Sequence, residues 1–143
     1  MKSLLIDTNI IIDLLAKREE FYSEAAQLFS LADRKEIKLK ISSLSFANTN
    51  YILTRLKSAK EAREILRKFK VLVDILNLDD RIIELAISDE KFPDFEDGLQ
   101  YYSAIENSVD IIITRNKKDF KKSKLPVLTA KEFLAKINAS RQQ

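Results

Sequence analysis

Short apolar runs alternate along the chain with stretches of helical spacing. Residues 3–6 (Ser3-Leu4-Leu5-Ile6) form a run that stops abruptly at Asp7-Thr8-Asn9, as a buried strand does when it feeds a helix. Ile10, Ile11, Leu14 and Leu15 then recur one helical turn apart. The same spacing predicts a helix over 20–35, with Phe21, Ala25, Leu28 and Leu31 on one face. Residues 37–41 alternate like a strand, 43–56 and 59–69 read as helices, 71–76 as a third strand and 79–88 as a helix. Pro93 opens a helix that runs to 106, the very apolar 110–114 is a strand, 127–128 a short last strand, and 129–137 a closing helix. Residues 141–143 are expected to fray. This order predicts an α/β fold, one domain over 1–140, with helices on both faces of a mostly parallel, roughly five-stranded sheet. Sites in such sheets form beyond the carboxyl ends of the strands, which directs attention to Asp7 and to Thr114-Arg115-Asn116.

Composition narrows the chemistry. The 143 residues include no Cys and no His, one Gly and two Pro. Thiol nucleophiles, imidazole bases, Cys- or His-ligated metals and glycine-rich phosphate loops are thereby excluded. An enzyme built from what remains would rely on a hard cation held by carboxylates. The net charge of +3 is small, but its distribution is uneven. Residues 79–97 hold eight acids against Arg81 and Lys91, and residues 115–124 hold six bases against Asp119 alone. The N-terminus turns polar too early for a signal peptide, and no apolar run approaches a membrane span, so a cytoplasmic protein without membrane contact is expected.

Three segments carry candidate chemistry, each with a plainer reading beside it. Asp7, Thr8 and Asn9 suit a helix cap as well as a site at a strand end. Asp94 and Asp97, three residues apart, suit a capping pair at a helix start, but the crowding of Asp94, Glu96 and Asp97 would also be relieved by a divalent cation. The stretch 98–104 behind them is light on charge and reads as buried. Asn116 and Asp119 resemble a capping box, while Thr114 and Asn116 are placed to hold a carboxylate or a metal-bound water. Arg115, Lys117, Lys118 and Lys121 form either a solvated face or a phosphodiester-binding strip.

Taken in order, these segments resemble PIN domains, the metal-dependent nuclease fold of VapC-type toxins. The resemblance rests on Leu5-Ile6-Asp7-Thr8-Asn9-Ile10-Ile11-Ile12-Asp13, on Asp94-Phe95-Glu96-Asp97-Gly98-Leu99-Gln100 with Ser103-Ala104, and on Thr114-Arg115-Asn116-Lys117-Lys118-Asp119-Phe120. It spans nearly the whole chain and implies a three-layer α/β/α sandwich. It further implies that Asp7, Asp97 and Asp119 ligate Mg²⁺ or Mn²⁺ and serve hydrolysis of RNA. Thr8, Asn9, Asn48, Asp94, Thr114 and Asn116 would support them, Arg115, Lys117, Lys118 and Lys121 would bind RNA, and Glu96 would point away from Asp97. An antitoxin protein and a homodimer are the partners that the resemblance implies.

One position departs from the family pattern. Asn48 stands where the family's second acid, a Glu, belongs, and no acid occurs between Glu36 and Glu61. An amide can coordinate through oxygen but brings no negative charge, so weaker metal binding is expected. This opens a second reading, a catalytically weakened or inactive PIN domain that binds RNA or protein. A receiver domain fails because Asp74 sits inside its predicted strand and Thr114-Arg115-Asn116 replaces the required Lys. A haloacid-dehalogenase-like phosphatase fails because Asp7-Thr8-Asn9 lacks a second acid.

Overall fold

The computed structural model describes residues 1–142. Strands β1 (Ser3–Ile6), β2 (Lys38–Ser42), β3 (Asp74–Leu76), β4 (Ile111–Ile113) and β5 (Val127–Leu128) form one sheet in the order β3-β2-β1-β4-β5, every neighbouring pair parallel. The helices are α1 (Thr8–Leu15), α2 (Glu19–Asp33), α3 (Ser43–Leu56), α4 (Ala59–Phe69), α5 (Asp80–Ser88), α6 (Phe95–Glu106) and α7 (Ala130–Arg141). Strand order reverses between β1 and β4, so the crevice between these two strand ends is the natural place for a site.

The apolar runs are continuous because both faces of the sheet are covered. Leu4 and Ile6 pack with Ile111 and Ile113 into the larger core, together with residues of α1, α2, α3, α4 and α7. Leu5 and Ile112 turn the other way, onto Tyr101 and Ala104 of α6 and onto Phe120. Ile82, Ala86 and Leu99 then seat α5 on α6. Leu4, Leu5 and Ile6 are each 0% exposed, and such burial is worth about 1.5–3 kcal/mol per side chain. Among the described residues, no helix is long and apolar enough to cross a membrane.

Two element boundaries differ from those that the pattern predicts. The third strand begins at Asp74, because Lys70–Leu72 continue the path of α4 as a 3₁₀ turn and leave Val71 84% exposed. The helix expected from Pro93 begins at Phe95, because the Asp94 side chain caps it by accepting from the Asp97 N–H at 3.1 Å. At the C-terminal end, α7 continues through Arg141 and Gln142 caps it, while Gln143 lies outside the described residues.

The only glycine, Gly98, is buried inside α6, and a Cβ there would meet Phe92 and Ala86 at 3.5 and 3.6 Å, ordinary contact distances. Left-handed φ values that favour glycine fall instead on Lys17, Lys35 and Ser108, just past the ends of α1, α2 and α6. Gly98→Ala should therefore raise stability by roughly 0.5–1 kcal/mol, through lower chain entropy in the unfolded state. A lower denaturation midpoint in the variant would show that α6 is packed more tightly than these distances indicate.

Candidate active site

Asp7 stands at the carboxyl end of β1, and its backbone N–H donates to the Ile113 carbonyl at 3.0 Å, which extends the β1–β4 pairing by one step. Its carboxylate is surrounded by donors. Oδ1 accepts from the Thr8 N–H at 2.7 Å, as an N-cap does, while Oδ2 accepts from the Thr114 hydroxyl at 2.8 Å and the Asn9 amide at 3.4 Å. Cap and site are therefore the same side chain. Burial pushes the Asp7 carboxyl above its ordinary pKa, with Asp119 adding like-charge repulsion, while the Thr114 and Thr8 hydrogen bonds pull it back.

The strand end across from it supplies the supporting turn. Thr114 is 0% exposed and its hydroxyl oxygen also accepts from the Asn116 N–H at 3.1 Å. The Arg115 N–H donates to the Asn9 side-chain oxygen at 3.3 Å. From Asn116 the chain enters a 3₁₀ turn, Lys117–Phe120, anchored by buried Phe120, and Asp119 projects from that turn.

The third acid comes from α6. Asp97 is half-buried in the first turn of the helix, and burial followed by repulsion from Asp94, Asp119, Asp7 and Glu96 pushes its carboxyl up to about 7. Asp7, Asp97 and Asp119 line one groove of about 470 Å³, whose other walls include Asn48 and Tyr51 of α3, Asn116 and Gln100. Asn48 thus faces the acids. Asp94 does not line the groove and acts from behind as the cap of α6. Glu96, expected to point away, lines the groove beside Asp97.

The basic strip divides. Lys118 and Lys121 are exposed, whereas Lys117 holds Glu132 at 3.0 Å. Arg115 is drawn to the other side of its turn by Asp13, at 2.8 Å. Sequence reasoning gave no role to Gln100 or Ser45, yet the buried Gln100 amide donates to Ser45 Oγ at 2.5 Å and reaches Asp7 Oδ1 at 3.5 Å. Thr8 joins this network by donating to Ser45 at 2.9 Å. The available signal for Gln100 was its spacing, one helical turn after Asp97 on the same face.

Carboxylate, amide and hydroxyl oxygens line the groove, a donor set that suits a hard divalent cation. Among the described residues, no three acids stand close enough to ligate one ion together. The side-chain oxygen of Gln100 is buried without a hydrogen-bond partner among those residues. Both observations fit a cation held by one or two carboxylates and otherwise by water, the coordination habit of Mg²⁺.

Residues 3–118 match a family model described as PIN domain. Ribonuclease VapC1 of Aquifex aeolicus is 27% identical over 144 residues, a match that covers 96% of each chain. A toxin–antitoxin complex from Klebsiella pneumoniae aligns with a TM-score of 0.67 at 25% identity, covering 89% of this chain and 97% of the other. VapBC2 from Rickettsia felis, bound to a DNA fragment from its promoter, aligns with a TM-score of 0.66 at 23% identity, covering 88% and 96%.

The crowded acids predict a pH response in metal-free buffer. Folded Asp97 keeps its proton up to about pH 7, while an unfolded Asp releases its proton near 3.8, so folding takes up a proton between those values. In EDTA, the thermal midpoint should rise as pH falls from about 8 to about 6, and Asp97→Asn should flatten that rise. Equal midpoints for the wild-type protein at both pH values would show that burial and the neighbouring acids do not raise Asp97 in the folded chain.

Proposed function

The chain belongs to the PIN domain family, and from that premise we propose that it is a metal-dependent endoribonuclease, the toxin of a toxin–antitoxin pair. One observation carries the reading: a single groove is lined by Asp7 from the end of β1, Asp97 from the start of α6 and Asp119 from the turn after β4. Support comes from the ribonuclease name of the Aquifex aeolicus relative and from the toxin–antitoxin complex among the similar structures.

One or two of the three aspartates Asp7, Asp97 and Asp119, with water completing the shell, are assigned to Mg²⁺ or Mn²⁺. Such an ion, when bound, supplies an activated water at neutral pH and offsets the charge of the phosphodiester. The chain's own contribution is placement. Thr8, Asn9 and Thr114 hold the Asp7 carboxylate in one orientation, and Asp94 fixes the helix start that presents Asp97. Lys118 and Lys121, exposed on and beside the turn that bears Asp119, are assigned to the RNA backbone. An antitoxin protein is the assigned partner. A homodimer is supported by Ile83 and Ile87 of α5 and Phe95 of α6, which stay 38%, 61% and 46% exposed.

A second reading has its own observation. Asn48 lines the groove at the position of the family's Glu, which favours a weakened or inactive domain that still binds RNA or protein.

Cleavage of a mixed tRNA and rRNA pool by pure protein, with Mg²⁺, Mn²⁺ or EDTA, separates the two. Discrete cuts that need metal and disappear in Asp7→Asn, Asp97→Asn and Asp119→Asn are expected. Cuts that persist in the Asp7→Asn protein would expose a contaminating ribonuclease, and a lack of cuts on that pool would favour the binding-only reading. Single-stranded RNA binding should respond to Lys118→Ala combined with Lys121→Ala by a fall of about 1.4 in the slope of log affinity against log salt, two phosphate contacts' worth. An unchanged slope would return these lysines to solvated surface.

A further inference from the structure

Behind the turn that follows β4, in a second cleft, lies a charge pair with no part in the acidic groove. Asp13, on α1, is 0% exposed, and its carboxylate accepts from Arg115 twice: from Nε to Oδ2 at 2.8 Å and from Nη2 to Oδ1 at 3.1 Å. The guanidinium also lies over the Phe21 ring, 4.1 Å from its centre. Arg18, itself partly exposed, approaches the same carboxylate at 3.8 Å. Stability alone explains such a pair poorly, because apolar side chains of similar volume often serve a fold as well or better than a buried ion pair.

Its position suggests a different purpose. Arg115 lies between Thr114 and Asn116, in the turn that separates two clefts. On one side is the acidic groove; on the other is a cleft of about 470 Å³ lined in part by Asp13, Phe21 and Arg115, and Asn116 borders both. The turn is held from the groove side by three bonds already described: Thr114 hydroxyl to Asp7, Arg115 N–H to Asn9, and Asn116 N–H to Thr114. From the far side it is held by the two-pronged Asp13–Arg115 clamp.

We infer that Asp13 is a positioning residue for the nuclease site: through Arg115 it locks the turn that brings Thr114, Asn116 and Asp119 up to Asp7. The inference rests on the nuclease reading above. It also moves Arg115 from the RNA-binding strip to the scaffold of the site, because its guanidinium is already engaged by Asp13 and Phe21. Lys cannot replace Arg here without loss, since an ammonium offers neither the paired donors nor the flat surface that stacks on Phe21.

The test compares the full-length wild-type chain with Asp13→Asn, Arg115→Lys, and Asp13→Leu combined with Arg115→Met. On an RNA that the wild-type protein cuts, both single variants should lose roughly 10–100-fold in kcat, the range for lost outer-shell support, with KM and RNA affinity little changed. In amide hydrogen exchange without metal, the N–H groups of Arg115, Asn116 and Asp119 should lose protection while those of α4 keep theirs. The apolar double variant should melt at or above the single variants and still be slow. Wild-type kcat in a folded double variant overturns the inference, and so does a loss of protection spread evenly over the chain in the single variants. Wild-type protein that cuts no RNA defeats the nuclease reading instead, and the exchange comparison then decides by itself whether Asp13 holds the turn.

Discussion

Parallel pairing of β1 with β4 is the constraint from which the site follows. The register sets Ile6 beside Ile113, and one further step brings the Asp7 N–H to the Ile113 carbonyl. The residue after Ile113 is Thr114, whose hydroxyl thereby meets the Asp7 carboxylate across a gap of 107 residues in sequence. A shift of one residue in that register would turn Thr114 to the opposite face of the sheet and leave a half-buried carboxylate short of its best donor. The apolar cores on both faces make such a slip costly, since Leu4, Leu5, Ile112 and Ile113 are each 0% exposed. Packing in the interior therefore sets polar geometry at the rim.

The same arrangement concentrates negative charge, and the structure offsets it only in part. Asp7 has neutral donors on both oxygens, so its desolvation is compensated in part by hydrogen bonds. Asp97 has no comparable donors, and burial followed by repulsion from four other acids pushes its carboxyl up to about 7. A carboxylate held by protein donors thus stands opposite a poorly compensated one. The site is prepared for positive charge by omission: neither Lys118 nor Lys121 lines the groove, Lys117 is turned to Glu132, and Arg115 to Asp13.

How much of this was legible in the sequence depended on how local each cause was. The alternation of strands and helices and the parallel sheet could be read because the apolar runs are short and bounded by polar residues. Asp7 and Asp97 stood out because each falls at a boundary, where helix caps and strand ends select acids for reasons contained within a few residues. The third strand was drawn too long because Val71 suits a strand by composition, and nothing local shows that its neighbours continue α4 as a 3₁₀ turn. Asp13 was invisible as a buried charge. Within Ile10-Ile11-Ile12-Asp13-Leu14-Leu15 a lone acid looks like the wet face of a helix, and its partner lies 102 residues away. Gln100 was obscured in the same manner, since its contacts to Ser45 and Asp7 cross 55 and 93 residues.

Asn48 acquires a physical meaning in this setting. A Glu on that wall of the groove would add a further charge to a set that already drives Asp97 up to about 7 in the absence of a cation. The metal-free fold would then carry more repulsion, and would depend more heavily on a bound ion for its stability. The amide keeps an oxygen donor in place and removes that repulsion, at the expense of electrostatic attraction for the ion. Metal affinity and metal-free stability are therefore opposed at this one position. On the metal-dependent reading proposed above, Asn48 would place the balance toward a protein that folds without the ion, and Asp7, held by three neighbouring donors, would be the fixed carboxylate around which the ion is arranged.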